Sequence, residues 1–173
     1  VVFGGDELSY ADLEAGSNAL ARHLIGLGVG PDCVVGIGLP RSFEMVVALL
    51  GVLKAGGAYL PLDPEYPTER LRYMLRASGA DVVISRSDVL GQLGLGACSP
   101  ESAGASEGAA QTSDAGASHS HRRPSQILCV DEAGFAAALA RQSTARITDA
   151  ERTQPLRPEH LAYVIYTSGS TGQ

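Results

Sequence analysis

The chain has 173 residues, 45% of them hydrophobic, which is enough for one ordinary domain with its own core. Its 13 basic and 19 acidic residues give a net charge of −6, which argues against a nucleic-acid-binding protein. The longest apolar run, from Met45 to Leu53, is too short to span a membrane, and the first residues lack the basic region of a signal peptide, so we expect a cytoplasmic protein.

The first predicted elements are a helix and a buried strand. Ser9 is a good N-cap for a helix, and Asp12, three residues later, completes a weak form of the capping box. Leucines then recur at helical spacing as far as Gly28, which can end the helix in a left-handed conformation. The apolar run 33–39 follows a Pro-Asp turn and is typical of a buried parallel strand.

The same alternation continues through the next elements. A second helix is predicted from about Ser42 to Lys54, stopped by two glycines, and a strand is predicted over 58–63. A third helix should have Pro67 in its first turn and end at Gly79, before a strand over 80–85. Alternating helices and strands predict an α/β fold with mostly parallel strands and right-handed crossovers.

A low-complexity segment interrupts this pattern between residues 97 and 125. It contains no large apolar residue, and Ala, Ser and Gly supply 17 of its 29 residues. Such a segment has no apolar surface to bury against the entropy of ordering, so we expect a disordered insertion. A strand over 126–131, a helix around 135–141 and a last strand over 161–166 are predicted after it.

A glycine- and hydroxyl-rich motif follows the last predicted strand. Hydroxyl groups and free backbone N–H groups on a tight turn can surround phosphate oxygens, and ligands of open α/β sheets bind beyond the carboxyl ends of strands. A flexible surface loop is the alternative. Neither a Walker A motif nor a dinucleotide-binding glycine motif is present. The predicted phosphate-binding residues are Thr167, Ser168, Gly169, Ser170, Thr171 and Gly172.

No metal site and no catalytic residue are predicted. His119 and His121 form an H-x-H pair without further ligands nearby, and the carboxylates are scattered. The three cysteines, Cys33, Cys98 and Cys129, are far apart in sequence, and we expect reduced structural thiols.

Three stretches together resemble the N-terminal part of the adenylation domains of nonribosomal peptide synthetases, which belong to the adenylate-forming superfamily. Residues 8–13 resemble the first core motif of these domains, with Asp12 where Glu is usual. Residues 53–63 match the second motif in full, and residues 161–172 match the third, the phosphate-loop motif. The usual Pro-Lys-Gly ending of that motif would lie beyond Gln173. The resemblance covers nearly the whole chain except residues 97–125, so residues 1–173 are interpreted as a partial adenylation domain from the N-terminal part of the large subdomain.

The resemblance implies an ATP-dependent ligase that activates an amino acid. ATP and Mg²⁺ would form the aminoacyl-AMP and pyrophosphate, and the acyl group would pass to a phosphopantetheine thiol on a partner carrier domain, with a condensation domain in the same synthetase. Thr167, Ser168, Ser170 and Thr171 would donate hydroxyl hydrogen bonds to the phosphates of ATP, and Gly169 and Gly172 would allow close backbone approach. The family's substrate-pocket residues, ribose-binding Asp and adenylation Lys come later in sequence, so residues 1–173 alone are expected to be inactive. Two alternatives remain open: an acyl-CoA-synthetase-like enzyme, and a non-catalytic remnant or interaction module.

Overall fold

Helices and parallel strands alternate along the chain, as the sequence predicts. The structure, a computed structural model, describes residues 1–96 and 124–167. A short antiparallel hairpin of β1 (Val2–Phe3) and β2 (Asp6–Glu7) comes first. The elements that follow are α1 (Tyr10–Gly26), β3 (Val34–Gly38), α2 (Phe43–Ala55), β4 (Ala58–Pro61), α3 (Thr68–Ser78), β5 (Val82–Ser85), β6 (Gln126–Cys129), α4 (Ala133–Ala140) and a 3₁₀ turn (Asp149–Glu151).

The helix ends are set by local chemistry that the sequence makes visible. The Ser9 hydroxyl oxygen accepts a hydrogen bond from the backbone N–H of Asp12 at 3.1 Å, and Ser42 does the same for Met45 at 3.2 Å. Each bond satisfies one of the unpaired N–H groups at a helix start. Gly56 ends α2 with a φ of 93°, a left-handed conformation that favours glycine. The prediction for Pro67 is wrong by one position, because this residue precedes α3 instead of lying in its first turn.

Four parallel strands form the central sheet, in the order β4-β3-β5-β6. Val35 of β3 lies between Tyr59 of β4 and Val82 of β5, and Val82 in turn pairs with Gln126 of β6. The α/β fold class with parallel strands is therefore confirmed. Because all four strands run in the same direction, their carboxyl ends lie along one edge of the sheet.

Buried apolar side chains cover both faces of the sheet. On one face, Val35 and Ile37 of β3 pack with Leu24 of α1 and Val52 of α2. The opposite face has its own core, in which residues of α3 meet residues of β4 and β5; its buried members are Leu60, Leu62, Leu71, Met74, Leu75, Ala80, Val83, Val89 and Leu93. Helices therefore lie on both sides of the sheet, and the central strands β3 and β5 are buried on both faces, which explains the continuous apolar runs of their sequence.

The last predicted strand is the main correction to the predicted elements. Residues 161–166 do not form a regular strand; Tyr163 makes a single parallel bridge to Tyr59 of β4. The backbone N–H of Tyr59 donates to the oxygen of Ala162 at 3.2 Å, and that of Val164 donates to the oxygen of Tyr59 at 2.9 Å. No strand pairs with the other side of this segment within residues 1–96 and 124–167, so only one edge contributes hydrogen bonds.

Other predictions differ in smaller ways. The predicted strands extend one or two residues beyond the observed ones, since hydrogen bonding in the sheet, not apolar character, sets the ends of a strand. The predicted disordered insertion, residues 97–125, lies outside the described residues except for Pro124 and Ser125. Cys33 is a free, exposed thiol, whereas Cys129 is disulfide-bonded, which corrects the expectation of reduced thiols for Cys129. Sequence spacing failed there because a disulfide requires only that two thiols meet in the folded chain.

Candidate phosphate-binding site at the sheet edge

Residues 161–167 run along the free edge of β4 toward the carboxyl ends of the strands. The bridge between Tyr59 and Tyr163 is parallel, so this segment runs in the same direction as the sheet. Tyr163 is paired two residues before the end of β4 at Pro61, and the segment therefore passes the end of β4 near Ile165. Thr167, the first residue of the predicted phosphate loop, comes beyond that point and is exposed.

Side chains of this segment alternate between the core and solvent. Val164 and Tyr166 pack against the core on the α3 side of the sheet. Tyr163 and Ile165 are 55% and 60% exposed. A period of two is the pattern of an extended strand, so the direction in which the chain enters the loop is set by burial of alternate residues although the regular ladder is short.

Two aromatic contacts hold the segment from opposite sides of the sheet. The ring of Tyr163 stacks on that of Tyr59, with centroids 5.8 Å apart and planes inclined by 29°. Tyr166 meets Tyr73 of α3 edge to face at 5.9 Å, with an interplanar angle of 77°. Burial raises the pKa of the Tyr166 phenol above its usual value, and the neighbouring Tyr73 adds to the effect.

The remaining predicted phosphate-binding residues, Ser168, Gly169, Ser170, Thr171 and Gly172, lie outside the described residues. Only Thr167 of the predicted set is described. Its place, after a parallel segment at the carboxyl edge of an α/β sheet, is where such folds bind ligands.

A cleft that the sequence analysis missed opens at the same edge of the sheet. It has a volume of about 820 Å³ and lies where α2 faces the ends of β3 and β4. Tyr59 lines this cleft and also stacks on Tyr163, so the cleft adjoins the segment that leads to the loop. The other lining residues are Ile37, Leu39, Pro40, Arg41, Met45, Leu49, Pro61, Leu62, Asp63, Pro64 and Glu65. The signal that could have revealed it is the pair of short stretches, 39–41 and 61–65, that follow two neighbouring strands.

Lys54, a residue of the second motif, is the centre of a polar cluster between α1 and α2. Its ammonium group donates to Ser17 Oγ at 2.7 Å, to Asn18 Oδ1 at 2.8 Å and to Glu14 Oε2 at 2.7 Å. Ser17 and Asn18 are almost fully buried. The Lys54 hydrogen bond holds the pKa of the Glu14 carboxyl below its usual value. A second cavity, of about 680 Å³, adjoins this cluster and the residues 146–149 and Arg152.

Two arginines attach the polar connection after α4 to the helices. Arg22 of α1 forms an ion pair with Glu151, with Nε and Oε2 2.7 Å apart, and donates to the backbone oxygens of Ser143 and Ala145. Arg152 donates from Nε to the backbone oxygen of Lys54 at 2.9 Å. These contacts were not visible in the sequence, because the residues are distant along the chain.

In the part of the chain that the structure describes, no cluster of three or more His, Cys, Asp or Glu side chains could hold a metal ion. In the same part, no helix is long and apolar enough to span a membrane.

A comparison of the whole chain with known protein families agrees with the motifs and the parallel sheet described above. The family model for AMP-binding enzymes matches residues 1–173. The chain belongs to the AMP-binding enzyme family. The expectation that the chain comes from the adenylate-forming enzyme family is thereby confirmed.

Two curated relatives, both synthases by name, match nearly the whole chain. Chondramide synthase cmdD of Chondromyces crocatus is 43% identical over 99% of this chain, and the match covers 4% of that synthase. The dimodular nonribosomal peptide synthase of Bacillus subtilis (strain 168) is 38% identical, again over 99% of this chain and over 6% of the synthase. The chain therefore spans a small part of the curated relatives that it matches.

Solved structures give the same architecture. The nonribosomal peptide synthetase FmoA3 in its α-methyl-L-serine-AMP-bound form has a TM-score of 0.66 and 26% identity, over 96% of this chain and 15% of that one. A fatty acyl CoA synthetase of Mycobacterium tuberculosis has a TM-score of 0.68 and 19% identity, over 95% of this chain and 28% of that one. The second similarity concerns the fold alone.

Proposed function

We propose that this chain is part of an ATP-dependent ligase that activates an amino acid for nonribosomal peptide synthesis. The relative with 38% identity from Bacillus subtilis (strain 168) is a dimodular nonribosomal peptide synthase, which supports this proposal. The second motif, residues 53–63, also favours amino-acid-activating members of the family. Residues 1–173 would be the N-terminal part of the adenylation domain, with residues 97–125 as an insertion within it.

One observation carries the proposal. Tyr59 lies in the second motif and Tyr163 in the third, and the two residues form a parallel bridge. The second and third motifs therefore meet at one edge of the sheet. The chain of the third motif runs from this contact toward the carboxyl ends of the strands. That is the position at which a phosphate-binding loop of an open α/β sheet has access to its ligand.

The proposed chemistry has two steps. A carboxylate oxygen of the amino acid attacks the α-phosphorus of ATP; the new O–P bond gives the aminoacyl-AMP, and the bond to the β-phosphate breaks and releases pyrophosphate. A phosphopantetheine thiolate of a carrier domain then attacks the acyl carbon, and AMP leaves. Thr167, Ser168, Ser170 and Thr171 would hold the β- and γ-phosphates while negative charge moves onto pyrophosphate, which is a positioning and electrostatic role.

Mg²⁺ is not assigned to residues of this chain. The described residues contain no cluster of three or more potential ligands, and Mg²⁺ in such enzymes is commonly held in large part by substrate phosphates and water. The thiol of the second step belongs to the partner carrier domain, and the condensation domain of the same synthetase would use the product. Neither partner has an assigned contact on this chain.

ATP–pyrophosphate exchange tests the proposal. The protein expressed from its full coding sequence is assayed with radiolabelled pyrophosphate against a panel of amino acids, and exchange with at least one amino acid is expected. Exchange with fatty or aryl acids only would assign an acyl-CoA-synthetase-like enzyme instead. No exchange with any acid would favour the non-catalytic remnant or interaction module. Residues 1–173 expressed alone should show no exchange, and activity of that piece would contradict its proposed incompleteness.

A single substitution tests the loop assignment. Ser170→Ala removes one proposed phosphate donor, and the KM for ATP should rise between about tenfold and a hundredfold, since a hydrogen bond to a charged group contributes about 1.5–3 kcal/mol. The control is Thr153→Ala, which removes a hydroxyl from an exposed residue of the polar connection. If both variants keep the KM of the unmodified protein, Ser170 is not a phosphate ligand.

A further inference from the structure

Tyr73 is an exposed aromatic residue of α3 whose ring contacts the residue immediately before the phosphate loop. Its side chain is 62% exposed. Among the described residues, the aromatic ring that contacts Tyr73 is that of Tyr166, in an edge-to-face arrangement. A ring left so exposed adds little to the core, so its contact with Tyr166 calls for a separate explanation.

The segment that ends at Tyr166 has few other restraints. Its backbone makes three hydrogen bonds: the N–H of Leu161 donates to Asp32 Oδ1 at 3.1 Å, and two bonds join the segment to Tyr59, the last of them at Val164. Beyond Val164, the ring of Tyr166 is the next side chain that packs inward, against the core on the α3 side. The described residues from 165 to 167 form no backbone hydrogen bond with the sheet. Side-chain packing therefore decides where the chain leaves the sheet edge.

The direction of α3 relates this contact to the loop. A helix that connects two parallel strands runs antiparallel to them, and α3 connects β4 to β5 in this way. The chain that leaves Tyr166 toward the carboxyl edge of the sheet therefore advances toward the N-terminal half of α3. Tyr73 contacts Tyr166 from that helix and can fix the position of Thr167 relative to it.

We propose that Tyr73 is a positioning residue: its ring fixes Tyr166, and thereby the place of Thr167, the first residue of the proposed phosphate loop, so that its loss weakens ATP binding without changing amino-acid binding. The inference rests on the proposed function for its effect on ATP. Its structural half, the anchoring of Tyr166, does not depend on that function.

The structural half is tested by hydrogen–deuterium exchange in the protein expressed from its full coding sequence. Tyr73→Ala should speed exchange in peptides that cover residues 161–167, including the N–H of Val164 that donates to Tyr59. Tyr73→Phe keeps the ring and should leave exchange unchanged. Tyr10→Ala is the matched control, because Tyr10 is a helix tyrosine with 82% exposure and no ring contact among the described residues. Equal exchange in Tyr73→Ala and the unmodified protein would overturn the inference, whatever the activity.

The functional half is tested by the separation of two Michaelis constants in pyrophosphate exchange. Tyr73→Ala should raise the KM for ATP between about twofold and tenfold, the range expected for loss of one aromatic pair, and leave the KM for the amino acid unchanged. Tyr73→Phe should restore the KM for ATP. An equal rise in both constants, or no rescue by Phe, would indicate general structural damage and overturn the positioning role. Absence of ATP–pyrophosphate exchange in the unmodified protein would refute the proposed function and, with it, the effect of Tyr73 on ATP binding. Hydrogen–deuterium exchange would still decide whether Tyr73 anchors Tyr166.

Discussion

Tyr59 and Tyr163 contact each other through both backbone and side chain, although they belong to motifs that are far apart in the sequence. Their backbones form a parallel bridge, and their rings stack with centroids 5.8 Å apart. Tyr59 also lines the cleft at the carboxyl ends of β3 and β4. The pair therefore connects the sheet, the cleft and the segment that leads to the predicted phosphate loop.

The stacking of these two rings should be measurable as a coupling energy. In a double-mutant cycle of Tyr59→Ala and Tyr163→Ala, we expect about 0.5–1.5 kcal/mol of coupling in the free energy of unfolding. Urea unfolding of the two single variants and the double variant gives the value. The control cycle pairs Tyr59→Ala with Tyr10→Ala, for which additive effects are expected. Additivity in both cycles would show that the rings do not stabilise the bridge.

Gly51 allows α1 and α2 to approach closely. A Cβ atom at this position would lie 2.7 Å from Leu20 Cδ2 and 3.1 Å from Leu20 Cβ, too close for the helices to keep their spacing. Gly51→Ala should therefore lower the free energy of unfolding by about 1–3 kcal/mol, the usual cost of overpacking. Gly26→Ala is the control in α1, because nothing lies within 4 Å of its added Cβ.

The two glycine variants should differ in sign. Gly26→Ala is expected to be neutral or stabilising, by up to about 1 kcal/mol, because Ala has the higher helix propensity. Chemical denaturation of both variants provides the comparison. A stabilising effect of Gly51→Ala would contradict the close approach of the two helices.

Lys54 should contribute to stability because it satisfies buried polar groups. Lys54→Met retains most of the aliphatic stem but removes the ammonium group that Asn18 Oδ1 and Ser17 Oγ contact. An unsatisfied buried acceptor costs about 1–3 kcal/mol, and we expect a loss of that size in the free energy of unfolding. Arg157→Met, which removes an exposed cation, should have little effect. Equal stability of the two variants would show that water replaces the lysine without cost.

His23 should make stability depend on pH. Burial lowers the pKa of His23, whose ring lies edge to face with that of Phe135 at 5.8 Å. The unfolded chain then binds a proton more readily than the folded one. The contribution of His23 is therefore complete above the unfolded pKa of about 6.5 and is lost as the pH falls through that value toward the lower folded pKa.

The pH effect can be assigned by two variants. His23→Gln does not titrate, and Phe135→Ala exposes the imidazole, so both should flatten the fall in thermal midpoint between about pH 7 and pH 5. An unchanged slope in both variants would assign the pH dependence to other groups.

Local sequence signals predicted most elements, and one further element could have been found. Ser9 and Ser42 marked helix starts, and Gly56 and Gly79 marked helix ends, because caps and left-handed turns depend on adjacent residues. The β1–β2 hairpin was missed, yet Gly4 and Gly5 with φ of 62° and 95° form the kind of Gly-Gly turn that joins two strands. Strands of two residues are too short to show a pattern of apolar residues, which is the signal that predicts the longer strands.

Contacts between distant residues could not be predicted in this way. Nothing local indicates that Lys54 meets Asn18, or that Arg22 meets Glu151. The cleft near Tyr59 depends likewise on where α2 lies over two strands. Residues 161–166 have the composition of a strand, but pairing on one edge alone leaves a single bridge.

The sequence by itself determined the α/β class, the helix limits to within about two residues, the motif order and the family, because periodicity, capping and motif spacing are properties of neighbouring residues. Only the tertiary structure decided that β3 lies between β4 and β5, that Tyr163 pairs with Tyr59, and that Tyr73 contacts Tyr166. These relations follow from which apolar faces are buried together once the chain is folded, and burial joins residues without regard to their separation in sequence.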